Sequence, residues 1–600
     1  MGQPKAPFFI LLVLIVGGLV TFAAYRGGMF SDKPAAGGSG ATDKPTGGGD
    51  KPAAGDKPAA GGGQPPAGGA EKIEAPDEGS PTTVKEYKFK PAERLPEVKG
   101  LAAYKPLQDN TVRFALNVWA GWGPIILAND GFRAGKEWKT PDGKSFKVEL
   151  VLVDNPVAMR DAYASGDVHI GWATLDMVPL FLEGFVDASG KPRDSRVMPR
   201  IYQQIDYSCG GDGIVVREAI KSVADLRGKK VVLAQNSPSH YFALNMLVAG
   251  GVQPAEVTMI FTEDAFQAAA AFNAQKEIAA AVTWAPDIYN LEKVRGNKLL
   301  VTTATANKLI ADVWFARADF AKDNPGITES LCRGIFDAME SMKDEAAKKK
   351  VAELMSKPEG YNIPASETFN MLGDAHNTNW AENYQFFMNQ NNPTNFERVW
   401  NQAYYLYRRI GAITHRAVPF DQVMDFSVIE KLGREPKYAN QKDEYRMEFV
   451  PKTLSEIKAE DEILTNTVVI QFFPNSWDLS KKVTRKSKEG KETEELYDPN
   501  VDFVLEDIAK LVGTFGMARV VIEGHTDGSM KGQVSAGLVK ELSLNRANSV
   551  KQALVQKYKL DPNQLGVEGV GWDRPADSSD PTNHTKNRRV EIKVYPAEKS

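Results

Sequence analysis

Six hundred residues are too many for one hydrophobic core, so the chain should fold as two or three domains. Its 42% hydrophobic and 25% charged residues and its net charge of −4 are ordinary for globular domains and give no basic excess for nucleic-acid binding. With only two cysteines, Cys209 and Cys332, the chain has neither a disulfide scaffold nor a cysteine-rich metal site, and no motif predicts a metal or a cofactor.

Residues 1–26 contain an uncharged apolar run from Pro7 to Ala24. As a helix this run is about 27 Å long, roughly one hydrocarbon core. Two interpretations remain. One is an uncleaved inner-membrane anchor with a cytoplasmic N-terminus, favoured by the length of the run and by Arg26 directly after it; the other is a cleaved secretory signal. Both predict that the remaining chain lies in the periplasm.

Residues 27–105 are predicted to be a linker. As far as about Pro81 the chain consists mainly of Gly, Ala, Pro, Lys and Asp, with Asp-Lys-Pro recurring. Such a composition buries too little apolar surface to offset the entropy of folding. A flexible segment of this length has an end-to-end distance of about 40 to 50 Å, which suits a tether.

Residues 106–435 alternate short apolar runs with helical patterns. The predicted strands are VRFALNVW, FKVELVLV, VHIGWA, GIVVR, KKVVLA, VTMIF and AAAVTW. Strands separated by helices predict a parallel α/β sheet, which binds ligands at the C-terminal ends of its strands. The pattern indicates two lobes, the second beginning near Gly210, and becomes mostly helical after about Asp319.

Four segments carry a family resemblance. They are NVWAGWGPIILAND (117–130), ASGDVHIGWATLD (164–176), the stretch from DYSCGG to ALNML (206–247) and AAVTWAPD (280–287). This region resembles the periplasmic solute-binding proteins of ABC transporters for nitrate, sulfonate and taurine. The resemblance implies a two-lobed domain that closes on a small organic solute. Whether its protein partner is an ABC permease or another envelope protein is left open by the sequence.

Aromatic and polar residues at the predicted strand and helix ends are the candidate solute contacts. Aromatic faces would pack the solute and a few polar groups would orient it. For three of them a purely structural role stays open: Trp119 as core, Asp176 as a helix cap and Ser237 as a helix cap. The candidates are Trp119, Trp122, Thr174, Asp176, Ser208, Asp212, Ser237, Ser239 and Trp284.

Residues 436–465 are mixed and charged, which indicates a connector, with a helix predicted over 454–464. Residues 466–600 form the last predicted domain. Within it, the charged insertion 481–495 is predicted to be a surface loop, and a buried strand ends near Gly524. This arrangement places Asp527 at a strand end and Arg546 on the next helix, where an acid and a guanidinium suit a ligand that carries an ammonium and a carboxylate.

The order of motifs in this domain resembles the OmpA-like peptidoglycan-binding family. The motifs are QFFPNSWDL (471–479, at the expected first strand), GHTD (524–527), LSLNRANSV (542–550), GVEGVGWDRP (566–575) and NRRVEI (587–592). The resemblance implies an α+β domain in which Asp527 and Arg546 hold the amino-acid end of diaminopimelate, with Thr526 and Arg588 as lesser contacts. Val539 stands where the family usually has Asn.

Three functions are weighed. The first is a solute receptor bound to the cell wall and the inner membrane, and the second is an envelope scaffold that has lost its solute. The third is an enzyme using Cys209 or His240, which sequence reasoning disfavours because no supporting general base is identifiable among the six histidines. We therefore predict a non-enzymatic receptor with peptidoglycan, a small solute and the inner membrane as partners.

Overall fold

The computed structural model describes residues 73–74, 86–486, 490 and 492–597. The predicted apolar span of residues 7–24 and most of the predicted linker lie outside these residues. Within the described ranges we find no helix that combines the length and apolar character needed to cross a bilayer.

Residues 86–107, here called the strap, pack against the domain that follows, although the sequence assigned most of them to the linker. The strap has no helix or strand. Its backbone is nevertheless held: Lys88 N–H donates to Gln253 Oε1 (2.6 Å) and Ala92 N–H donates to the Ile410 carbonyl (2.8 Å). Regularly spaced apolar side chains, absent from the Gly/Pro-rich stretch, explain the difference. They are Phe89, Leu95, Val98, Leu101, Tyr104 and Leu107.

Lobe 1 begins with alternating strands and helices. Asn155 caps the second helix through its side chain, which accepts a hydrogen bond from Ala158 N–H. The elements are β1 (Thr111–Leu116), α1 (Gly123–Ala128), β2 (Glu137–Lys139), β3 (Ser145–Leu152), α2 (Pro156–Ala164), β4 (Ile170–Thr174), α3 (Met177–Phe185) and β5 (Pro199–Ser208).

The chain then crosses to lobe 2, which starts at Asp212, close to the predicted boundary. Its helix α4 has Pro238 in the first turn, where the missing N–H costs nothing. The elements are β6 (Asp212–Arg217), β7 (Lys230–Ala234), α4 (Pro238–Ala249), β8 (Thr258–Thr262), α5 (Ala265–Ala274), β9 (Ile278–Trp284), α6 (Asp287–Glu292) and β10 (Asn297–Thr302).

The chain returns to lobe 1 through a buried strand and continues mostly as helices, as predicted. The elements are β11 (Ala311–Arg317), α7 (Ala318–Asp323), α8 (Pro325–Ser341), α9 (Glu345–Ser356), α10 (Ala365–Met371), β12 (Ala375–Asn377), α11 (Trp380–Met388), α12 (Phe396–Arg409), α13 (Ser427–Leu432) and α14 (Pro436–Ala439).

Both lobes contain mixed sheets rather than the purely parallel sheet that the sequence predicted. In the described part of the chain the lobe 1 order is β12-β5-β11-β4-β1-β3-β2, and the lobe 2 order is β10-β6-β9-β7-β8. β11 runs antiparallel to both β4 and β5, and β6 runs antiparallel to β9. The two-lobed α/β architecture and all seven predicted strands are confirmed. Strands β5, β6 and β11 are antiparallel where the chain crosses between lobes, and the short β2 is antiparallel to β3 within lobe 1.

In the connector, the helix predicted over 454–464 is a single turn, α15 (Leu454–Ile457), and α14 lies at the start of the connector. In the C-terminal domain the first strand is β13, and QFFPN follows it as coil. The insertion predicted to be a loop forms a hairpin, β14 with β15. The elements are β13 (Leu464–Val468), β14 (Lys482–Lys486), β15 (Glu492–Leu496), α16 (Val501–Thr514), β16 (Ala518–His525), α17 (Ala536–Tyr558), β17 (Leu565–Gly571), α18 (His584–Asn587) and β18 (Arg589–Ala597).

The C-terminal domain packs its helices on a sheet of order β13-β18-β16-β17, as an α+β domain should. It also contacts the two-lobed domain directly. Asn466 Nδ2 donates to the Ala249 carbonyl (3.0 Å), and Arg398 Nε donates to Glu506 Oε1 (3.0 Å). The two domains and the connector therefore form one compact unit.

Candidate functional site

The loop after β16 carries Thr526 and Asp527, and α17 crosses the end of this strand. Close approach of the helix depends on Gly524, where a Cβ would lie only 2.0 Å from the Ser543 carbonyl oxygen. Ser535 caps the helix by accepting a hydrogen bond from Leu538 N–H. These local features bring Arg546, one turn beyond Ser543, over the strand end that holds Asp527.

Arg546 is oriented as a rigid seat for a carboxylate. Its Nε donates to the Ser476 carbonyl oxygen (3.0 Å), and its guanidinium lies 4.9 Å from the centre of the Phe472 ring. Only 3% of the residue is exposed. Because one edge of the guanidinium is fixed by backbone and ring, the other edge can receive both oxygens of one carboxylate.

That carboxylate belongs to Glu74 of the same chain. Arg546 Nη1 and Nη2 donate to Glu74 Oε1 and Oε2, both at 2.6 Å, and Arg588 Nε lies 3.5 Å from Oε1. Burial alone would raise the pKa of Glu74, but the two arginines outweigh it and hold this pKa below its usual value. The glutamate is therefore charged at neutral pH.

Asp527 lies in the same cluster, joined through Arg588. Arg588 Nε donates to Asp527 Oδ2, and Ser529 N–H donates to Oδ1 (2.8 Å). Burial works to raise the pKa of Asp527, while Ser529 and Arg588 lower it further than burial raises it. Thr526 Oγ1 is buried and has no hydrogen-bond partner among the described residues. The structure thus brings together Thr526, Asp527, Arg546 and Arg588, and adds Glu74, which the sequence did not suggest.

A second charged cluster lies near this seat. Glu523, His525 and Glu591 are the one group in the described ranges whose His or carboxylate atoms are close enough to share a metal ion. However, Arg574 lies 2.9 Å from Glu523 and Arg589 lies 2.6 Å from Glu591. Because cations already neutralise these carboxylates, we interpret the cluster as a network of ion pairs.

Four buried aspartates meet between the strands of lobe 1 and the crossing to lobe 2. Asp206 and Asp312 are paired across β5 and β11, and Asp312 is also opposite Thr174 of β4. Asp176 follows β4, and Asp212 begins β6. The carboxyl groups influence one another electrostatically, so they lie in one buried region.

Neutral donors, not cations, surround these aspartates. Trp119 Nε1 donates to Asp206 Oδ2 (3.1 Å), and Tyr407 Oη donates to Asp176 Oδ2 (3.0 Å). Gly121 allows Asp206 to sit there, since a Cβ would lie 1.4 Å from its Oδ2 atom. Burial raises the pKa of Asp176, Asp206 and Asp212 to about 7. No lysine or arginine in the described chain forms a salt bridge with any of the four.

Several buried polar atoms around this cluster lack partners. Thr174 Oγ1 lies beside the Asp176 carboxyl without a hydrogen bond of good geometry, and Ser239 Oγ and His240 Nε2 have no partner among the described residues. The His240 ring lies 6.1 Å from the ring of Tyr407, the donor to Asp176. Unsatisfied buried polar groups are uncommon, and those of Thr174 and His240, which lie near Asp176 and Tyr407, suit a site that takes a polar ligand.

The other predicted solute contacts divide into two groups. Ser208 Oγ is 2.8 Å from Thr303 Oγ1, and the half-buried Trp284 is opposite Asp212 across β9 and β6, so both lie at the lobe crossing. Trp122 is instead part of the lobe 1 core, with its N–H satisfied by Asn117 (2.7 Å). Ser237 holds the N-cap position of α4, but its hydroxyl donates to the Ala234 carbonyl oxygen (2.8 Å).

Sequence reasoning missed Asp206, Asp312 and Tyr407. A signal existed for Asp312, because an acid within the apolar run ADVWFAR is unusual unless the strand has a polar role. Asp206 lay in a quoted motif without being singled out. Tyr407 is far along the chain, on α12, and had no local signal.

The residues considered for catalysis do not form a nucleophile and base. Burial raises the pKa of the half-buried Cys209 thiol, which keeps the thiol protonated. Burial lowers the pKa of His240 to about 3, and its ring packs 5.1 Å from that of Phe261. Neither group has the ionisation that thiolate catalysis requires.

Comparison with known proteins finds two family matches. Residues 202–347 match the NMT1/THI5-like family, and residues 491–589 match the OmpA family. The first match lies in the two-lobed domain and the second in the C-terminal domain. Both resemblances noted in the sequence are thereby confirmed.

Individual relatives cover different parts of the chain. The taurine-binding periplasmic protein of Escherichia coli is 26% identical over 241 residues, which are 37% of this chain and 71% of that protein. Outer membrane protein Omp38 of Acinetobacter baumannii is 38% identical over 95 residues, 16% of this chain, and the chain spans only 24% of Omp38.

Solved structures also align with the solute-binding region. The periplasmic aliphatic sulphonate-binding protein of Escherichia coli is 16% identical, with a TM-score of 0.38 and coverage of 53% of this chain and 97% of its own. The periplasmic nitrate-binding protein of Synechocystis PCC 6803 is 16% identical, with a TM-score of 0.42 and coverage of 55% and 89%.

Proposed function

We propose that this protein is a periplasmic solute receptor that is held to peptidoglycan by its C-terminal domain and to the inner membrane by its N-terminal segment. The observation that carries the proposal is the Arg546 seat, which grips a carboxylate with both prongs beside the acid Asp527. An acid and a base so placed suit the amino-acid end of diaminopimelate, because Asp527 can receive its ammonium and Arg546 its carboxylate. The OmpA-family match supports this assignment.

The solute-binding half of the proposal rests on the interlobe aspartates. Four buried carboxyl groups without a basic partner disfavour a solute whose only charge is negative, because burying like charges together is costly. They favour a small organic solute that carries an ammonium or another cationic group, with Trp119 beside it. The unpartnered hydroxyl groups of Thr174 and Ser239 would orient its polar atoms.

Wall binding can be tested by sedimentation with purified peptidoglycan. We expect the double variant Asp527→Ala, Arg546→Ala to lose retention, since removing the charge that meets a buried carboxylate costs about 2 to 5 kcal/mol of binding free energy. The matched control is Lys531→Ala with Glu541→Ala, which removes exposed charges of the same signs from the same domain. Equal retention of the double variant and the control would refute wall binding.

Solute binding can be tested by a thermal-shift panel on the full chain. The panel contrasts a quaternary ammonium, a primary amine and a polyamine with nitrate and an aliphatic sulfonate, and includes taurine, which carries both charges. A ligand at 100 times its Kd stabilises the folded state by about 2.7 kcal/mol, enough to shift the melting temperature by several degrees. A response to anions alone would contradict the cationic assignment. A panel without any response would favour the scaffold alternative.

A further inference from the structure

We infer that Glu74 is an internal ligand of the wall-binding seat, and that a peptidoglycan stem peptide must displace it before it can bind. The inference rests on the proposed wall-binding function and concerns the regulation of that same site. Its basis is that Glu74 occupies both prongs of Arg546, the group proposed to hold the carboxylate of diaminopimelate.

The chain satisfies both halves of the seat with its own groups. An amino-acid ligand would bring a carboxylate to Arg546 and an ammonium to Asp527. In the structure the Glu74 carboxylate takes the first place, and the Arg588 guanidinium takes the second by donating to Asp527. The occupied seat thus reproduces the charge pattern of the ligand, and a stem peptide and Glu74 cannot hold Arg546 at the same time.

The contact includes the backbone around Glu74 as well as its carboxylate. Asn475 Oδ1 accepts hydrogen bonds from the N–H groups of Ile73 (2.7 Å) and Glu74 (3.0 Å), and Asn475 N–H lies 3.4 Å from Glu74 Oε2. Asn475 adopts the left-handed backbone conformation (φ 59), which lets its backbone N–H and its side chain face the same segment. Glu74 is only 3% exposed, so its contact with Arg546 is a buried ion pair rather than a solvent-exposed one.

Tethering makes this internal ligand a strong competitor. Glu74 precedes Glu86, where the strap begins, by 12 residues (86 − 74), and a tether this short gives an effective concentration in the millimolar range. A stem peptide binds only the fraction of molecules whose seat is open, so its apparent affinity falls by that fraction. If one molecule in ten is open, removing Glu74 should strengthen binding about tenfold.

Calorimetric titration of the full-length protein with a stem peptide that contains meso-diaminopimelate tests this directly. We expect Glu74→Ala to bind the peptide at least about tenfold more tightly than the unaltered chain. Glu86→Ala, which removes an exposed carboxylate from the same part of the chain, should bind as the unaltered chain does. Equal affinity of the unaltered chain and Glu74→Ala, with binding lost in Arg546→Ala, would overturn the inference and leave wall binding intact. If neither the unaltered chain nor Glu74→Ala binds the peptide, the proposed wall-binding function is overturned and the inference with it.

Hydrogen exchange gives an independent measurement. The amides of Ile73 and Glu74 should exchange slowly in the free protein, because both donate to Asn475, and should exchange rapidly once saturating stem peptide is added. The amide of Ala92, which belongs to the strap and donates to the Ile410 carbonyl, is the internal control, and its exchange rate should not change. Protection of residues 73–74 that survives saturation with the peptide would show that the seat and the ligand site are different places.

Discussion

At the Arg546 seat, Arg546 and Arg588 each face a carboxylate. Between the lobes, four buried aspartates face neutral donors, one another and a fifth acid, Asp374, without any cation as a salt-bridge partner among the described residues. Both regions are buried. The seat is electrically complete without any other molecule, so an external ligand must replace an existing partner. The aspartates between the lobes have no cationic partner, so a cationic ligand would offset the free-energy cost of burying their charge. Buried charge therefore indicates that a ligand must displace an existing partner at the seat, whereas at the aspartates a ligand of opposite charge would supply the missing partner.

The two regions should respond to pH with opposite signs. The pKa of Glu74 is lowered, so its contact adds stability above the ordinary glutamate pKa and is lost as pH falls through the lowered value. The pKa of Asp176 is raised to about 7, so its burial costs nothing below the unfolded pKa and costs most above about pH 7. Acidification should therefore reduce the stability that the Glu74 contact contributes, and it should also reduce the cost of burying Asp176.

The largest expected effect is on the stability of the ligand-free cleft. Asp176→Asn keeps the acceptor for Tyr407 and removes the charge, so at pH 8 it should raise the free energy of unfolding by about 2 to 4 kcal/mol. The gain should shrink toward zero below about pH 3, where the carboxyl is protonated in the unfolded state as well as in the folded one. Urea unfolding at the two pH values measures this. An exposed replacement, Asp109→Asn, serves as the control, and a gain independent of pH would contradict an unpaired charge.

The next effect concerns the paired seat. Arg546→Met should lower the free energy of unfolding by about 1 to 3 kcal/mol, less than a fully trapped pair would lose, because Glu74 can leave the site and regain water. Adding Glu74→Gln to Arg546→Met should then change little, whereas Glu74→Gln alone should be destabilising. A double-mutant cycle measures this coupling. Additive effects of the two changes would mean that Glu74 and Arg546 do not act on each other.

A third effect links pH to solute affinity. A cationic solute binds the ionised aspartates, so its Kd should fall as pH rises from 6 to 7, by at most about tenfold for each proton released. The hydrogen-bonding groups that face these carboxyls are Thr174 and Tyr407 for Asp176, Trp119 and Asp312 for Asp206, and Ser208 for Asp212. In addition to burial, Asp212 raises the pKa of Asp176 and Asp206, and Asp374 raises that of Asp212. Calorimetry in two buffers of different ionisation enthalpy counts the protons released. An affinity that rises toward acidic pH would contradict the assignment.

Sequence patterns predicted the features that depend on local order. Apolar alternation predicted seven strands of the two lobes. The pattern also placed Asp527 at a strand end and Arg546 on the next helix, and the family resemblance implied that the two residues lie together. Glu74 was not predictable, because its partner lies 472 residues away and its own neighbourhood reads as linker. The pairing of β14 with β15 was missed because both strands are charged and lack an apolar face. Antiparallel β11 was missed because strand direction depends on where the chain returns between lobes.

The smallest expected effect concerns a partly exposed ion pair between the two domains. Arg398 of the two-lobed domain and Glu506 of the C-terminal domain are joined by an ion pair of 3.0 Å (Nε to Oε1), with side chains 17% and 37% exposed. Glu506→Gln should lower the free energy of unfolding by only about 0.2 to 1 kcal/mol, because solvent screens a partly exposed pair. Urea unfolding beside the exposed control Glu541→Gln measures it. A loss above about 2 kcal/mol would mean that this interface depends on charge as the seat does, and a change at the seat could then reach the cleft through it.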